Sequence, residues 1–109
     1  MRIVCLGAGG VFGQNFAQMA KDQGHDVLGI GRSPRKPKPY SLDTDFRYIE
    51  LHAEDALPLA ADYNVVVNFA AQAGLVPQSW KYPRAFYMTN MLLPVRIAEV
   101  IPESIHYIH

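Results

Sequence analysis

An α/β fold built on a doubly wound parallel sheet is the fold class predicted for this chain, and three observations predict it. Short apolar runs end at turn signals, amphipathic stretches separate them, and glycines follow directly after the first run. The 109 residues are the length of one domain, and at 50% hydrophobic they suffice for a single core.

Ile3 to Leu6 is a continuous apolar run that halts at Gly7, as suits a strand buried on both faces. After Gly10, the residues Phe12, Phe16, Met19 and Ala20 recur with the spacing of one helical face, and Gly24 closes the pattern as a helix C-cap would. Asp26 to Ile30, Phe46 to Leu51 and Tyr63 to Phe69 read as the next three strands, the last with a Val65-Val66-Val67 core. From Pro83 to Val100 a single helix is predicted, with Phe86, Asn90, Leu93, Ile97 and Val100 on one stripe, and Ile105 to Ile108 reads as a fifth strand. Right-handed crossovers and a glycine turn after the first strand predict the strand order 3-2-1-4-5 of a Rossmann-type sheet, truncated after its fifth strand. The fifth strand is then an open edge, which pairing with another chain, as in a homodimer, would cover.

Ten basic and ten acidic side chains cancel, so no global field recruits nucleic acid or an anionic membrane. The opening apolar run is far too short for a signal peptide or a membrane span, and a cytoplasmic protein is expected. The lone Cys5 lies in that run and reads as core. The four scattered histidines offer no metal cluster, so none is expected.

Gly7-Ala8-Gly9-Gly10-Val11-Phe12-Gly13 sits between a buried strand and an amphipathic helix, the setting in which a glycine pattern carries chemistry. Gly7 permits the tight turn, Gly10 lets a pyrophosphate approach the backbone, and Gly13 lets the helix pack closely on the strand. The helix N-terminus at Val11 and Phe12 then presents unpaired N–H groups to the anion. The spacing is Gly-x-x-Gly-x-x-Gly, because Phe12 stands where the Gly-x-Gly-x-x-Gly pattern has its last glycine. Dinucleotide binding is the expected use.

After the second strand, Gly31-Arg32-Ser33 occupies the place where an acidic residue would select NAD. The Arg32 guanidinium can clasp a 2′-phosphate, with Arg35 and Lys36 adding positive field, and this favours NADP over NAD. The same basic residues also suit a solvated, proline-rich surface loop running from Gly31 to Asp45.

Taken together, these residues resemble the extended branch of the short-chain dehydrogenase/reductase superfamily, the NAD-dependent epimerase/dehydratase group that works on nucleotide sugars. The resemblance covers the whole chain. It rests on the glycine turn, on Val66-Val67-Asn68-Phe69-Ala70-Ala71-Gln72-Ala73-Gly74 after the fourth strand, and on Pro83 followed by Asn90. It implies that Ala70 and Ala71, with Phe69 and Gln72 beside them, line the nicotinamide ribose; packing against a helix is the alternative use of such alanines. It implies that Asn90 helps hold a water in a proton relay, where the residue alone allows a core hydrogen bond. Pro94 cannot donate to the carbonyl of Asn90, so a kink is expected there. Two departures stand out: His52, with Asp55 three residues on, falls where an adenine-contacting Asp is common, and Asn68 replaces a His frequent in the sugar epimerases.

The resemblance also implies a Ser or Thr after the fifth strand and a Tyr-x-x-x-Lys on the next helix. No tyrosine of this chain has Lys four residues on, and Ser104 precedes the fifth strand. The chain is therefore expected to be the dinucleotide-binding part, residues 1–109, of an oxidoreductase, epimerase or dehydratase. Its catalytic segment and small-molecule substrate site would lie elsewhere, and it would not be competent alone. The alternative reading is a non-catalytic NADP-binding redox-responsive or assembly module.

Overall fold

Strand β1 (Arg2–Leu6) is followed by α1 (Val11–Asp22), β2 (Asp26–Gly31), β3 (Arg47–Glu50) and β4 (Val65–Asn68). Then come α2 (Val76–Lys81), α3 (Pro83–Tyr87), a π-helical turn (Met88–Leu92), α4 (Leu93–Val100) and β5 (His106–Ile108). The computed structural model describes residues 1–31, 47–50, 55, 62–71 and 76–109. The strands form one sheet in the order β3-β2-β1-β4-β5, every neighbouring pair parallel.

Period-two alternation along β1 divides the core into two layers. Val4 and Leu6 join Leu28, Ile30 and Val66 on one face, under Leu93 and Ile97 of α4. Ile3 and Cys5 join Val27, Val65 and Val67 on the other, under Ala17 and Ala20 of α1. Helices thus cover both faces of β1, which is why its residues from Ile3 onward are apolar without a break.

The face that α1 buries differs from the one its large apolar residues suggest. Gly13, Gln14, Ala17 and Ala20 are buried, whereas Phe12 is 80% and Met19 55% exposed. Small side chains win because the helix starts hard against the end of β1, where there is no room for a phenyl ring. Its C-terminus closes in a Schellman arrangement: the Gly24 N–H donates to the Lys21 carbonyl at 2.8 Å and the His25 N–H to the Ala20 carbonyl at 3.1 Å.

The helix predicted from Pro83 to Val100 is not continuous. Pro94 has no N–H for the carbonyl of residue 90, and the ladder locally widens: the Leu93 N–H donates to the carbonyl of Met88, five residues back. The extra residue breaks the 3.6 periodicity, so the predicted stripe fails. Leu93 and Ile97 are buried, but Asn90 and Val100 are exposed.

At the end of the sheet remote from the glycines, Arg2 ties three segments together. Its Nε lies 3.3 Å from Asp26 Oδ2, its Nη1 donates to the Asp62 carbonyl at 2.6 Å, and its guanidinium stands 4.6 Å from the Tyr63 ring centre. Among the described residues, no helix is long and apolar enough to cross a membrane.

Candidate dinucleotide site

The glycine turn sits at the carboxyl end of β1, between β2 and β4, where a doubly wound sheet changes winding direction and opens a crevice. Two hydrogen bonds anchor it to β2, from the N–H groups of Gly7 (2.8 Å) and Ala8 (3.1 Å) to the Ile30 carbonyl. A third, from the Phe69 N–H to the Leu6 carbonyl at 2.9 Å, draws the exit of β4 against it.

The three glycines have distinct duties. Gly7 has φ +76°, and a Cβ there would lie 2.6 Å from the Ala70 nitrogen and 2.7 Å from the Phe69 carbonyl carbon. Gly13 carries the close approach of α1 to the turn: a Cβ would run into the Gly7 carbonyl oxygen, with its carbon at 2.8 Å. Gly10 is different. It is exposed, its φ of −82° suits any residue, and among the described residues a Cβ would meet only the Gly7 oxygen at 3.5 Å. Among the described residues nothing presses on position 10 closely enough to require glycine there.

Gly10 stands at the N-terminus of α1. Among the described residues no side chain caps that terminus, and no acidic residue stands in the first turn. The leading N–H groups of a helix lack intrahelical partners and carry the positive end of its dipole, so an anion is the natural occupant.

Cys5 supports this arrangement from behind. Its Sγ donates to the Gly13 carbonyl at 3.5 Å, and burial pushes its thiol from the ordinary 9.0 up to about 12. The thiol is neutral in the folded chain, so its contribution to stability is complete below pH 9 and is lost as the unfolded chain ionises between pH 9 and about 12. At pH 8 the native thiol, buried and held neutral, should react with a disulfide reagent at least ~10-fold more slowly than in denaturant, measured by absorbance. Comparable rates would contradict its placement.

After β4 the chain turns at Phe69 and Ala70. The Phe69 ring is 37% exposed and lies 5.4 Å from the Phe16 ring, tilted by 47°. Ala70 is half-buried against the core layer under α4, and Ala71 is exposed. The structure therefore brings Gly7, Gly10, Val11, Phe12, Gly13, Phe69, Ala70 and Ala71 to one end of the sheet. Asn90 departs from expectation: it is exposed on the π-helical turn rather than on a buried stripe, because the widened ladder turns it outward. Arg32, Ser33, Arg35, His52 and Gln72 lie outside the described residues.

Two contributors were not singled out as site residues from sequence. Ala8 is fully buried beneath the turn. Asn68, noted only as a departure from a His, accepts a hydrogen bond from the Ala70 N–H at 2.9 Å and donates to Tyr107 Oη at 3.2 Å. The Asn-x-Ala spacing at a strand end was the available signal, since Asn side chains bond the backbone two residues on. Burial raises the Tyr107 phenol above its ordinary 10.0, and the Asn68 hydrogen bond pulls it partly back. Among the described residues no group of three His, Cys, Asp or Glu gathers that could hold a metal.

Solved structures share this architecture. UDP-glucuronic acid 4-epimerase from Bacillus cereus, in complex with a fluorinated UDP-sugar and NAD, is 26% identical with a TM-score of 0.71 over 91% of this chain and 35% of its own. UDP-glucose 4-epimerase from Thermotoga maritima is 20% identical with a TM-score of 0.75, over 91% of this chain and 33% of its own. UDP-glucose 4-epimerase from Thermus thermophilus is 18% identical with a TM-score of 0.73, over 91% and 33%. The chain thus spans about a third of the length of these structures. No curated protein sequence matches it. The sequence profile of one family matches residues 3–107, and the chain belongs to that family, the NAD dependent epimerase/dehydratase family.

Proposed function

We propose that this chain binds a nicotinamide dinucleotide, with its pyrophosphate at the N-terminus of α1, as the nucleotide-binding part of an enzyme acting on a nucleotide sugar. The observation that carries the reading is Gly10, a glycine on which no described residue presses, standing before a helix terminus that no described side chain caps. The turn made by Gly7, Gly10 and Gly13 would hold the pyrophosphate through the N–H groups of Val11 and Phe12, while Phe69, Ala70 and Ala71, with Gln72, would wall the nicotinamide ribose. When bound, the nicotinamide supplies hydride transfer. The substrate class is drawn from the Bacillus cereus relative, which was solved with a UDP-sugar and NAD. The groups that would perform proton transfer on the substrate are placed outside residues 1–109, because no Tyr-x-x-x-Lys occurs within them. Asn90, with its position on the π-helical turn, is proposed to support the proton relay.

Direct titration of the protein with NADH and NADPH, followed by fluorescence, tests the reading. Saturable binding of either supports it, and binding of neither overturns it. The same titration settles the choice of cofactor, on which the chain's own Arg32 and its relative's NAD pull in opposite directions. If Arg32 clasps a 2′-phosphate, with Ser33 and Arg35 beside it, NADPH binds at least ~10-fold tighter than NADH and Arg32→Ala removes the difference. Equal affinities, unchanged by Arg32→Ala, would place this chain with its NAD-bound relative. His52 as an adenine contact is tested in the same way, by His52→Ala.

A further inference from the structure

β4 ends on a polar residue inside an otherwise apolar strand. Asn68 is 6% exposed, and a buried amide is costly unless its donors and acceptor are partnered. Here Oδ1 accepts from the Ala70 N–H at 2.9 Å, while Nδ2 donates to Tyr107 Oη at 3.2 Å and faces His109 Nδ1 at 3.2 Å. The amide has one orientation only, because turning it over would set its NH₂ against the Ala70 N–H. With Nδ2 donating, His109 Nδ1 stands in the acceptor's place.

The Oδ1 bond spans two residues and fixes the direction in which the chain leaves the sheet. The backbone it fixes is the same Phe69–Ala70 segment that stands 2.6 to 2.8 Å from where a Cβ on Gly7 would lie. Any swing of this segment would therefore move one side of the crevice against the glycine turn. Resting on the dinucleotide reading above, we infer that Asn68 is a positioning residue. Its side chain holds the Phe69–Ala71 backbone as the wall for the nicotinamide ribose, and Tyr107 and His109 of the neighbouring strand segment lock its orientation.

The pyrophosphate half of the ligand rests on the glycine turn, so the inference separates the two halves. The test titrates the intact protein with its preferred reduced dinucleotide, read by nicotinamide fluorescence, and with ADP, which carries a pyrophosphate but no nicotinamide. Asn68→Ala is expected to weaken the dinucleotide by ~10-fold and shift its bound emission, with ADP affinity unchanged within about 2-fold. Asn68→Ser, whose hydroxyl can still accept from the Ala70 N–H, is expected to recover most of the loss. Parallel losses for both ligands, or no recovery with serine, would show a merely structural role and overturn the inference. Tyr107→Phe removes a single oxygen and serves if Asn68→Ala does not fold. It should weaken the dinucleotide by about 2- to 3-fold and leave ADP alone, and an unchanged affinity and emission would overturn the inference. A wild-type protein that binds ADP but no dinucleotide defeats the inference while sparing the anion site, and one that binds neither defeats both.

Discussion

Gly13→Ala is expected to lower the unfolding free energy by about 3 kcal/mol, at the upper end of what one added methyl costs in a packed interior. The reason is that the new Cβ meets backbone, not a side chain that can rotate away. It would run into the Gly7 carbonyl group, and the Ala8 Cα lies 3.1 Å off on the other side. The helix would have to move off the sheet, and Ala17 and Ala20 would lose their seats over Cys5, Val65 and Val67. Urea unfolding followed by circular dichroism gives the number. A loss below about 1 kcal/mol would mean that the turn can give way and that Gly13 has been misjudged.

Gly10→Val separates ligand binding from folding. At φ −82° and ψ 166° the position is extended, a conformation that valine adopts readily. The fold should lose only about 1 kcal/mol, the difference between glycine and an apolar residue at a helix N-cap. Dinucleotide affinity should nevertheless fall by about 100-fold, or ~2.7 kcal/mol, because the branched side chain occupies the space in which the pyrophosphate would lie. A variant that folds and binds as wild type does would move the phosphate site away from α1.

Much of this was legible in the sequence, and the rest was hidden for identifiable reasons. Ile3–Leu6, the glycines and Val65–Val67 announced a parallel sheet with a tight turn after β1, because buried strands leave continuous apolar runs and glycines mark close approaches. The face of α1 was misjudged because hydrophobic patterning weights large residues, whereas a helix seated this close to a strand buries its smallest. Phe12 and Met19 belong inward by bulk, yet both are exposed. The π-helical turn left only Pro94 as a signal, and a missing donor announces a kink without saying that the ladder will widen. Asn68 was hardest to read, since its meaning depends on partners 39 and 41 residues away that only the pairing of β4 with β5 brings near.

The anchoring of the glycine turn bears on the thermodynamics of any ligand that docks there. A flexible loop that closes around an anion must surrender its conformational freedom at the moment of binding, and affinity falls accordingly. Here Gly7 and Ala8 are already bonded to Ile30, Gly13 to Cys5, and Phe69 to Leu6. The ordering is completed when the domain folds, so the turn is preorganised, and association should draw little entropy from its backbone.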